Sequence, residues 1–238
     1  MEVKIFNLNC WLLPSPFSAE NEKRLYRIIS LIKKYSPDII TLQEVWLKKY
    51  VRKLKREFPD YHFFSLKSSL FNKSGLVSGF KMKPLSFSGE YFPLTKIHNL
   101  REKIALKGYQ ASEISPGVFI INTQLYTPEK PSDLKITLSQ FKKIEAFSSG
   151  KKVIISGDLN IEEDEFLRAN KTFFYKSPLG FTVARKNYYC NSRVNQIPRS
   201  DKTIDYIISN EKSIAPKTKI FNPVTVSDHY PMFGIFDL

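Results

Sequence analysis

The chain is poor in the residues that staple small folds or cross membranes. Two cysteines, Cys10 and Cys190, exclude a disulfide framework and a cysteine-type zinc site, and leave room for one bridge at most. Nine glycines and 14 prolines argue against an array of tight-turn repeats. No run approaches the ~20 apolar residues needed to span a bilayer. The opening Met1-Glu2-Val3-Lys4-Ile5 lacks the apolar stretch and small-residue cleavage site of an export signal. A cytoplasmic location is therefore the default expectation, with leaderless export left open. Negative charge is also scarce. Asp and Glu number 23 against 37 Lys and Arg, for a net charge of +14. That bias favours polyanionic partners, whether nucleic acid, an anionic membrane surface or phosphorylated substrates. The plain alternative is a lysine-rich solvated surface. What is present is core-forming material: 238 residues, 42 % apolar and 14 % aromatic, which rules out disorder and suits one domain over residues 1–238. A monomer is assumed.

Two hydrophobic periods alternate along the chain. Val3 to Leu8 is β-prone, and Leu25, Ile28, Ile29 and Ile32 then recur at helical spacing within Glu20 to Tyr35. Ile39 to Leu42 reads as a buried strand ending at Gln43-Glu44. A basic helix over 47–58 carries Lys48, Lys49, Arg52, Lys53, Lys55 and Arg56. Its apolar face, Val51, Leu54 and Phe58, allows those cations to be a solvated coat. Short β-like runs follow at Tyr61–Leu66, Gly75–Phe80 and Ala105–Ile114, then a strong strand at Val118–Asn122. Leu134, Leu138, Phe141, Ile144 and Phe147 mark an amphipathic helix. Val153–Ser156, Ile204–Ser209 and Met232–Phe236 read as later strands. Helices alternating with hairpin-like strands imply sheets covered by helices, with several such architectures open.

Four segments place polar side chains beside strand-like runs. Asn9 follows Ile5 to Leu8, and Glu44 follows Ile39 to Leu42. Asp158 and Asn160 follow Val153 to Ile155, and Asp228-His229 precedes the last strand. Turns favour Asp and Asn in any protein, but four such placements together suggest a site. Glu44 and Asp228 are hard oxygen ligands suited to Mg²⁺. Asp158 can take a proton from water. Asn160, two residues on along an extended chain, would share its face and donate to a phosphoryl oxygen. His229 can donate to phosphate, with Asp205 as the carboxylate that keeps it cationic and oriented. Metal, base, amide and imidazolium make a phosphodiester-cleaving set.

Phe6-Asn7-Leu8-Asn9-Cys10-Trp11, Leu42-Gln43-Glu44-Val45-Trp46, Ser156-Gly157-Asp158-Leu159-Asn160, Ile204-Asp205-Tyr206 and Ser227-Asp228-His229-Tyr230-Pro231 occur in the order of the endonuclease/exonuclease/phosphatase superfamily. The chain resembles that superfamily from Val3 to Phe236, and the first two segments look most like its neutral sphingomyelinase branch. Ser74-Gly75-Leu76, Lys107-Gly108 and the helix bearing Gln140 match more weakly. The resemblance implies a four-layered α/β sandwich, two mainly antiparallel β-sheets packed face to face with helices outside. It implies a Mg²⁺- (or Mn²⁺-) dependent phosphate-ester hydrolase. By it, Glu44 is the main metal ligand with Asn9 and Asp228 near the ion, and Asp158 orients or deprotonates water. Asn160 binds the scissile phosphate, and His229 with Asp205 stabilises the transition state, so that Asn9, Asn160 and His229 all face substrate.

One segment departs from the pattern. Asn122-Thr123-Gln124-Leu125 stands where many relatives carry Asn-Thr-His-Leu, so Gln124 replaces a second histidine. An amide donates a hydrogen bond without a titratable proton or charge. The substitution implies a slower chemical step, a changed substrate, or a weakly active or non-catalytic polyanion-binding relative. Tyr126 is a nearby substitute, though a core aromatic is the plainer reading. A phospholipid head group, DNA or RNA, and a soluble phosphate ester all remain open as substrates. No strong interfacial hydrophobic insertion is apparent; Pro14-Ser15-Pro16-Phe17 reads as a rim loop or a structural connection. Trp11 and Trp46 flank the motifs, Cys10 reads as packed, and His62 and His98 as structural or surface residues.

Overall fold

The computed structural model describes residues 1–66, 72–95, 97, 99–178, 180–184, 189, 201–221 and 226–238. Cys190 and His98 lie outside the described residues.

The strands alternate as the sequence periods require, and each strand's two faces go to different layers. One sheet has six strands in the order β10 (Lys217–Ile220), β11 (Met232–Asp237), β1 (Glu2–Leu12), β2 (Ile39–Val45), β4 (Val77–Phe80), β3 (His62–Phe64). The other has five, in the order β5 (Ser86–Tyr91), β6 (Gly108–Ser115), β7 (Val118–Gln124), β8 (Lys152–Asp158), β9 (Asp205–Ser209). Neighbours are antiparallel except for one central parallel pair in each sheet, β1 with β2 and β7 with β8. The central strands of the two sheets face each other.

Odd residues of β1 and β2 point between the sheets. Val3, Ile5 and Ile39 join Ile120 of β7, Ile154 of β8 and Ile207 of β9 in one inter-sheet core. Even residues point outward. Phe6, Leu8, Ile40 and Leu42 pack under α1 (Asn21–Tyr35) and α2 (Lys48–Glu57). Across the molecule, Ile121, Val153 and Ile155 pack under α4 (Leu134–Ser148) and α5 (Glu163–Ala169). The architecture is thus the expected four-layered sandwich.

Three details differ from expectation. The run from Ala105 is not one strand: Ala105 closes a short helix, α3 (Leu100–Ala105), and β6 starts at Gly108. The strands after Tyr61 and Gly75 shrink to 62–64 and 77–80; Gly75, at φ +66, sits in the turn before β4. On α4, Ile136, Phe141 and Ile144 are fully buried while Leu138 and Phe147 are only partly so, a small rotation of the anticipated stripe. Of the basic helix, the observed α2 buries Tyr50, Val51 and Leu54. Two of its lysines, Lys49 and Lys53, pair with Glu22 of α1, so much of its charge coats the flank of the molecule.

Candidate active site

The inter-sheet face of each central strand is apolar at one end and polar at the other. β1 runs Val3, Ile5, Asn7, Asn9, and β2 runs Ile39, Thr41, Gln43. β7 runs Val118, Ile120, Asn122, Gln124, and β8 runs Ile154, Ser156, Asp158. The polar residues of this set are all buried. They bond across the gap between sheets. Thr41 Oγ1 lies 2.7 Å from Ser156 Oγ, and Gln43 Nε2 donates to Asn7 Oδ1 at 2.9 Å and Asn122 Oδ1 at 2.8 Å. Asn122 Nδ2 donates in turn to the carbonyls of Leu42 and Val77. This buried network ties the two sheets together and forms the floor of the site, although Asn7 Nδ2 and Gln43 Oε1 find no partner among the described residues.

Above this floor the carboxylates converge. Asn9 Nδ2 donates to Glu44 Oε1 at 3.0 Å and to Asp158 Oδ2 at 2.9 Å. Gln124 Nε2 donates to the same two groups, at 2.7 Å and 3.3 Å. Two amides from different sheets therefore bridge two carboxylates from different sheets. Gln124, at the departing position, completes this square. His229 Nδ1 lies 2.8 Å from Asp205 Oδ2. Ligand atoms of Asp158, Asp205 and His229 all fall within 4.8 Å of one another. Asp228 is fully buried, and its Oδ1 accepts the Ser227 hydroxyl at 3.0 Å.

Local backbone geometry aims these groups. By simple alternation Glu44 would face the helices with Leu42. Its φ of 57 breaks the alternation and turns it to the inter-sheet side. Gly75 packs behind it: a Cβ there would stand 3.0 Å from the Glu44 Cα. On β1 an extra residue between Asn9 and Leu12 forms a bulge, with Trp11 at φ 47 and its N–H donating to Asn9 Oδ1 at 3.1 Å. Bulges and left-handed residues of this kind re-aim side chains at sites. Asn160 differs from the extended geometry expected. The strand ends at Asp158, Leu159 is buried, and Asn160 takes φ 50. Its N–H caps Asp158 Oδ1 at 3.0 Å, and its Nδ2 donates to the Leu125 carbonyl at 3.0 Å. It still lies at the rim beside Asp158. Gly157 is needed for close packing, since a Cβ there would come within 2.1 Å of the Thr123 carbonyl oxygen.

The electrostatics are strained in one place and relieved in another. Burial, then the Asp205 carboxylate, push the Asp158 carboxyl above its usual range, only partly opposed by His229, Lys107 and the Asn9 hydrogen bond. Burial opposes a charged His229. It is outweighed by Asp205, Asp228, the hydrogen bond to Asp205 and Asp158, which together hold the imidazolium pKa up to about 10. His229 is therefore a cation at neutral pH. Hard oxygen donors crowd together here, and Asp205 Oδ1 is buried with no hydrogen-bond partner among the described residues. Glu44 Oε1 and Asp158 Oδ2, both within 3.0 Å of the Asn9 Nδ2, bring two hard oxygen donors side by side, and such a pair fits a divalent cation of the Mg²⁺ type. Asn9, as placed, turns its amide hydrogens to the carboxylates and its oxygen to Trp11.

The remaining singled-out residues support this centre or lie outside it. Lys107 is buried, pairs with Glu102 at 3.1 Å and donates to the Leu125 carbonyl that Asn160 also grips. Gln140 accepts the Tyr126 N–H at 2.7 Å. Tyr126 is a core aromatic, packed with Ile97 and Ile136. Cys10 is packed beneath the sheet, and His62 is exposed on β3. Sequence reasoning missed Arg24 and the floor. Arg24 is wholly buried, and its guanidinium donates to the carbonyls of Cys10, Trp11, Ala19 and Val226, tying the Asn9 bulge to the segment leading into Asp228. The floor was signalled by apolar-to-polar runs with a period of two, such as Ile5-x-Asn7-x-Asn9. Arg24 carried no signal beyond its place in an amphipathic helix.

The four-layered sandwich thus gathers carboxylates, amides and one imidazolium at one end of the inter-sheet space. Solved structures share the fold. Sphingomyelinase C from Streptomyces griseocarneus superposes with a TM-score of 0.81 at 15% identity, covering 100% of both chains. Beta toxin from Staphylococcus aureus gives 0.76 at 18% identity, covering 98% of this chain and 99% of that one. D. rerio TDP2 complexed with a single-strand DNA product gives 0.75 at 16% identity, covering 100% and 99%. No curated protein matches by sequence. The chain belongs to the endonuclease/exonuclease/phosphatase family, whose model matches residues 7–229.

Proposed function

We propose that the protein is a divalent-metal-dependent phosphodiesterase, acting with Mg²⁺ or Mn²⁺. The observation that carries this reading is the square of Asn9, Glu44, Gln124 and Asp158, with Asp205–His229 within reach of Asp158. Glu44 and Asp228 are the carboxylates assigned to the ion, with Asn9 beside them. When bound, the ion supplies positive charge to the phosphate oxygens. The other roles belong to the chain itself. Asp158, whose carboxylate is costly to keep ionised, accepts a proton from the attacking water. Asn160, at the rim, orients the phosphate with the remaining hydrogen of its amide. His229, cationic and held by Asp205, donates to an oxygen of the phosphate as charge builds there. Water adds to phosphorus as its proton passes to Asp158, the ester P–O bond breaks, and the leaving oxygen takes a proton from solvent to give an alcohol and a phosphomonoester.

Gln124 supports activity in this reading. Its amide supplies the hydrogen bonds that hold Glu44 and Asp158 in register, while the second imidazole of the family pattern is missing. A phospholipid head group is the first substrate reading, in line with the Asn-Cys-Trp and Glu-Val-Trp segments. A nucleic-acid diester is the second, favoured by the +14 charge.

The test is turnover of sphingomyelin, of plasmid and single-stranded DNA, and of bis(p-nitrophenyl) phosphate, with Mg²⁺ or with chelator. Hydrolysis of at least one diester, lost on chelation and in Asp158→Asn, is expected. Hydrolysis surviving both would refute the mechanism.

A further inference from the structure

The mouth of the site is edged by a feature the catalytic reading does not use. The connection from β5 to β6 leaves and re-enters the sheet at the site end, since Tyr109 pairs with Thr123, next to Gln124. Within it lies α3, whose orientation is fixed from inside. Asn99 caps it by accepting the Arg101 and Glu102 N–H groups. Glu102 pairs with buried Lys107, and the Ala105 carbonyl accepts the Ser74 N–H at 2.9 Å. With that face tied down, Leu100 and Ile104, one turn apart, point outward together. They are 69% and 68% exposed, with Met1 at 68% among the most exposed large apolar side chains described.

They have company at the same end. Phe17 is exposed in the loop after β1, and Phe181 is exposed beside Thr182, whose hydroxyl accepts the Asp205 N–H. Arg101 and Lys103 on α3, and Lys130 in the connection after β7, are exposed cations around this edge. Large apolar groups held out into water beside a site mark a surface that meets something. Leu100 and Ile104, the most exposed of this group, give a nucleic-acid base no ring to stack on; Phe17 and Phe181 are the less exposed members, at 42% and 46%. Aliphatics flanked by cations do match a bilayer interface, where apolar groups enter the acyl boundary and cations meet anionic head groups.

We infer that α3 and its neighbouring loops dock the mouth of the active site onto an anionic phospholipid surface. Leu100 and Ile104 enter the interface, while Arg101, Lys103 and Lys130 meet the head groups. The inference rests on the phosphodiesterase reading only in naming the site that faces the lipid; docking itself needs no turnover.

The test is flotation of the full chain with vesicles of phosphatidylcholine, with and without phosphatidylserine. The wild type is expected to float with the mixed vesicles, less with phosphatidylcholine alone, and less at high salt. The double variant Leu100→Glu/Ile104→Glu should lose affinity at least about tenfold, because its side chains no longer favour leaving water. Its melting temperature and its hydrolysis of bis(p-nitrophenyl) phosphate should be unchanged, since both side chains stand clear of the fold. Arg101→Glu/Lys103→Glu should remove the preference for phosphatidylserine. Wild type that does not float, or a double variant that floats equally well, would overturn the inference and leave the catalytic reading intact. So would a double variant that loses self-association or single-stranded DNA binding and keeps its vesicle binding. Flotation lost in the variant, from a chain that hydrolyses no diester at all, would leave docking standing and sink the catalytic reading.

Discussion

The two ends of the inter-sheet space are built from the same strands and could hardly differ more. At one end Ile5, Ile39, Ile120, Ile154 and Ile207 interdigitate without a polar atom. At the other, continuing along the same faces, Asn7, Thr41, Gln43, Asn122 and Ser156 bond to one another beneath Asn9, Glu44, Gln124 and Asp158. The apolar end holds the sheets together through burial, which is tolerant of geometry. The polar end gives less stability, because its hydrogen bonds replace bonds to water. It holds carboxylates at fixed places in a dry setting, which burial of aliphatics does not do. Stability and chemistry are thus separated along the strand axis.

The sharpest way to break the comparison is at Asp158. Asp158→Asn should lower turnover by about 10²–10⁴, the range for a lost general base. The same change should stabilise the metal-free protein at neutral pH. The folded carboxyl is raised above its ordinary 3.8, so ionising it costs stability. That cost is absent below the unfolded pKa and grows as pH rises. The variant's gain in melting temperature should therefore be large at pH 8 and vanish towards pH 3. A variant less stable than wild type at pH 8 would contradict the strain assigned to this carboxylate.

The matching change at the apolar end is Ile154→Ala. Ile154 is fully buried, and its loss should cost about 2–5 kcal/mol in urea denaturation. Specific activity of the folded fraction should hold. Asn122→Ala, one layer below Gln124, should cost less stability, about 1–3 kcal/mol from partners left unpaired. It should also reduce kcat, because Gln43 and the Leu42 carbonyl lose their partner below the site. If Ile154→Ala impairs the folded enzyme as much as Asn122→Ala does, the two ends are not separable.

A further expectation is a pH dependence. His229 has a folded pKa raised from 6.5 to about 10. Its contribution to stability is full below pH 6.5 and fades as pH rises towards 10. In chelator, wild type should lose stability over that window by more than His229→Asn does. Nuclear magnetic resonance of His229 should show titration at lower pH in Asp205→Asn, where the ring loses its ion-pair partner.

Much of this was legible in the sequence, and the gaps have physical reasons. β1, β2, β7 and β8 announce themselves because both faces are buried and rich in Ile, Val and Leu, and α1 because Leu25, Ile28, Ile29 and Ile32 form a clean stripe. β5 and β10 are sheet-edge strands with Ser, Gly, Lys and Thr facing water, so no alternation marks them. α5 buries only Phe166, and α3 buries nothing, so neither has a stripe to read. The aliphatic edge on α3 was invisible for the same reason: Leu100 and Ile104 become conspicuous only once the fold leaves them in water. The site motifs were legible because their polar residues end apolar runs. Their aim was not. Glu44 and Asn160 reach their places through left-handed backbone conformations that no side-chain period encodes.

The most direct measurement is a crystal structure of the protein soaked in Mn²⁺, read from the anomalous signal. The account predicts a peak at the polar end of the inter-sheet space, within about 2.0–2.6 Å of a Glu44 carboxylate oxygen, the range for hard cations on oxygen. Its disappearance in Glu44→Gln is also predicted. A peak elsewhere on the molecule, or one that persists unchanged without the Glu44 carboxylate, would contradict it.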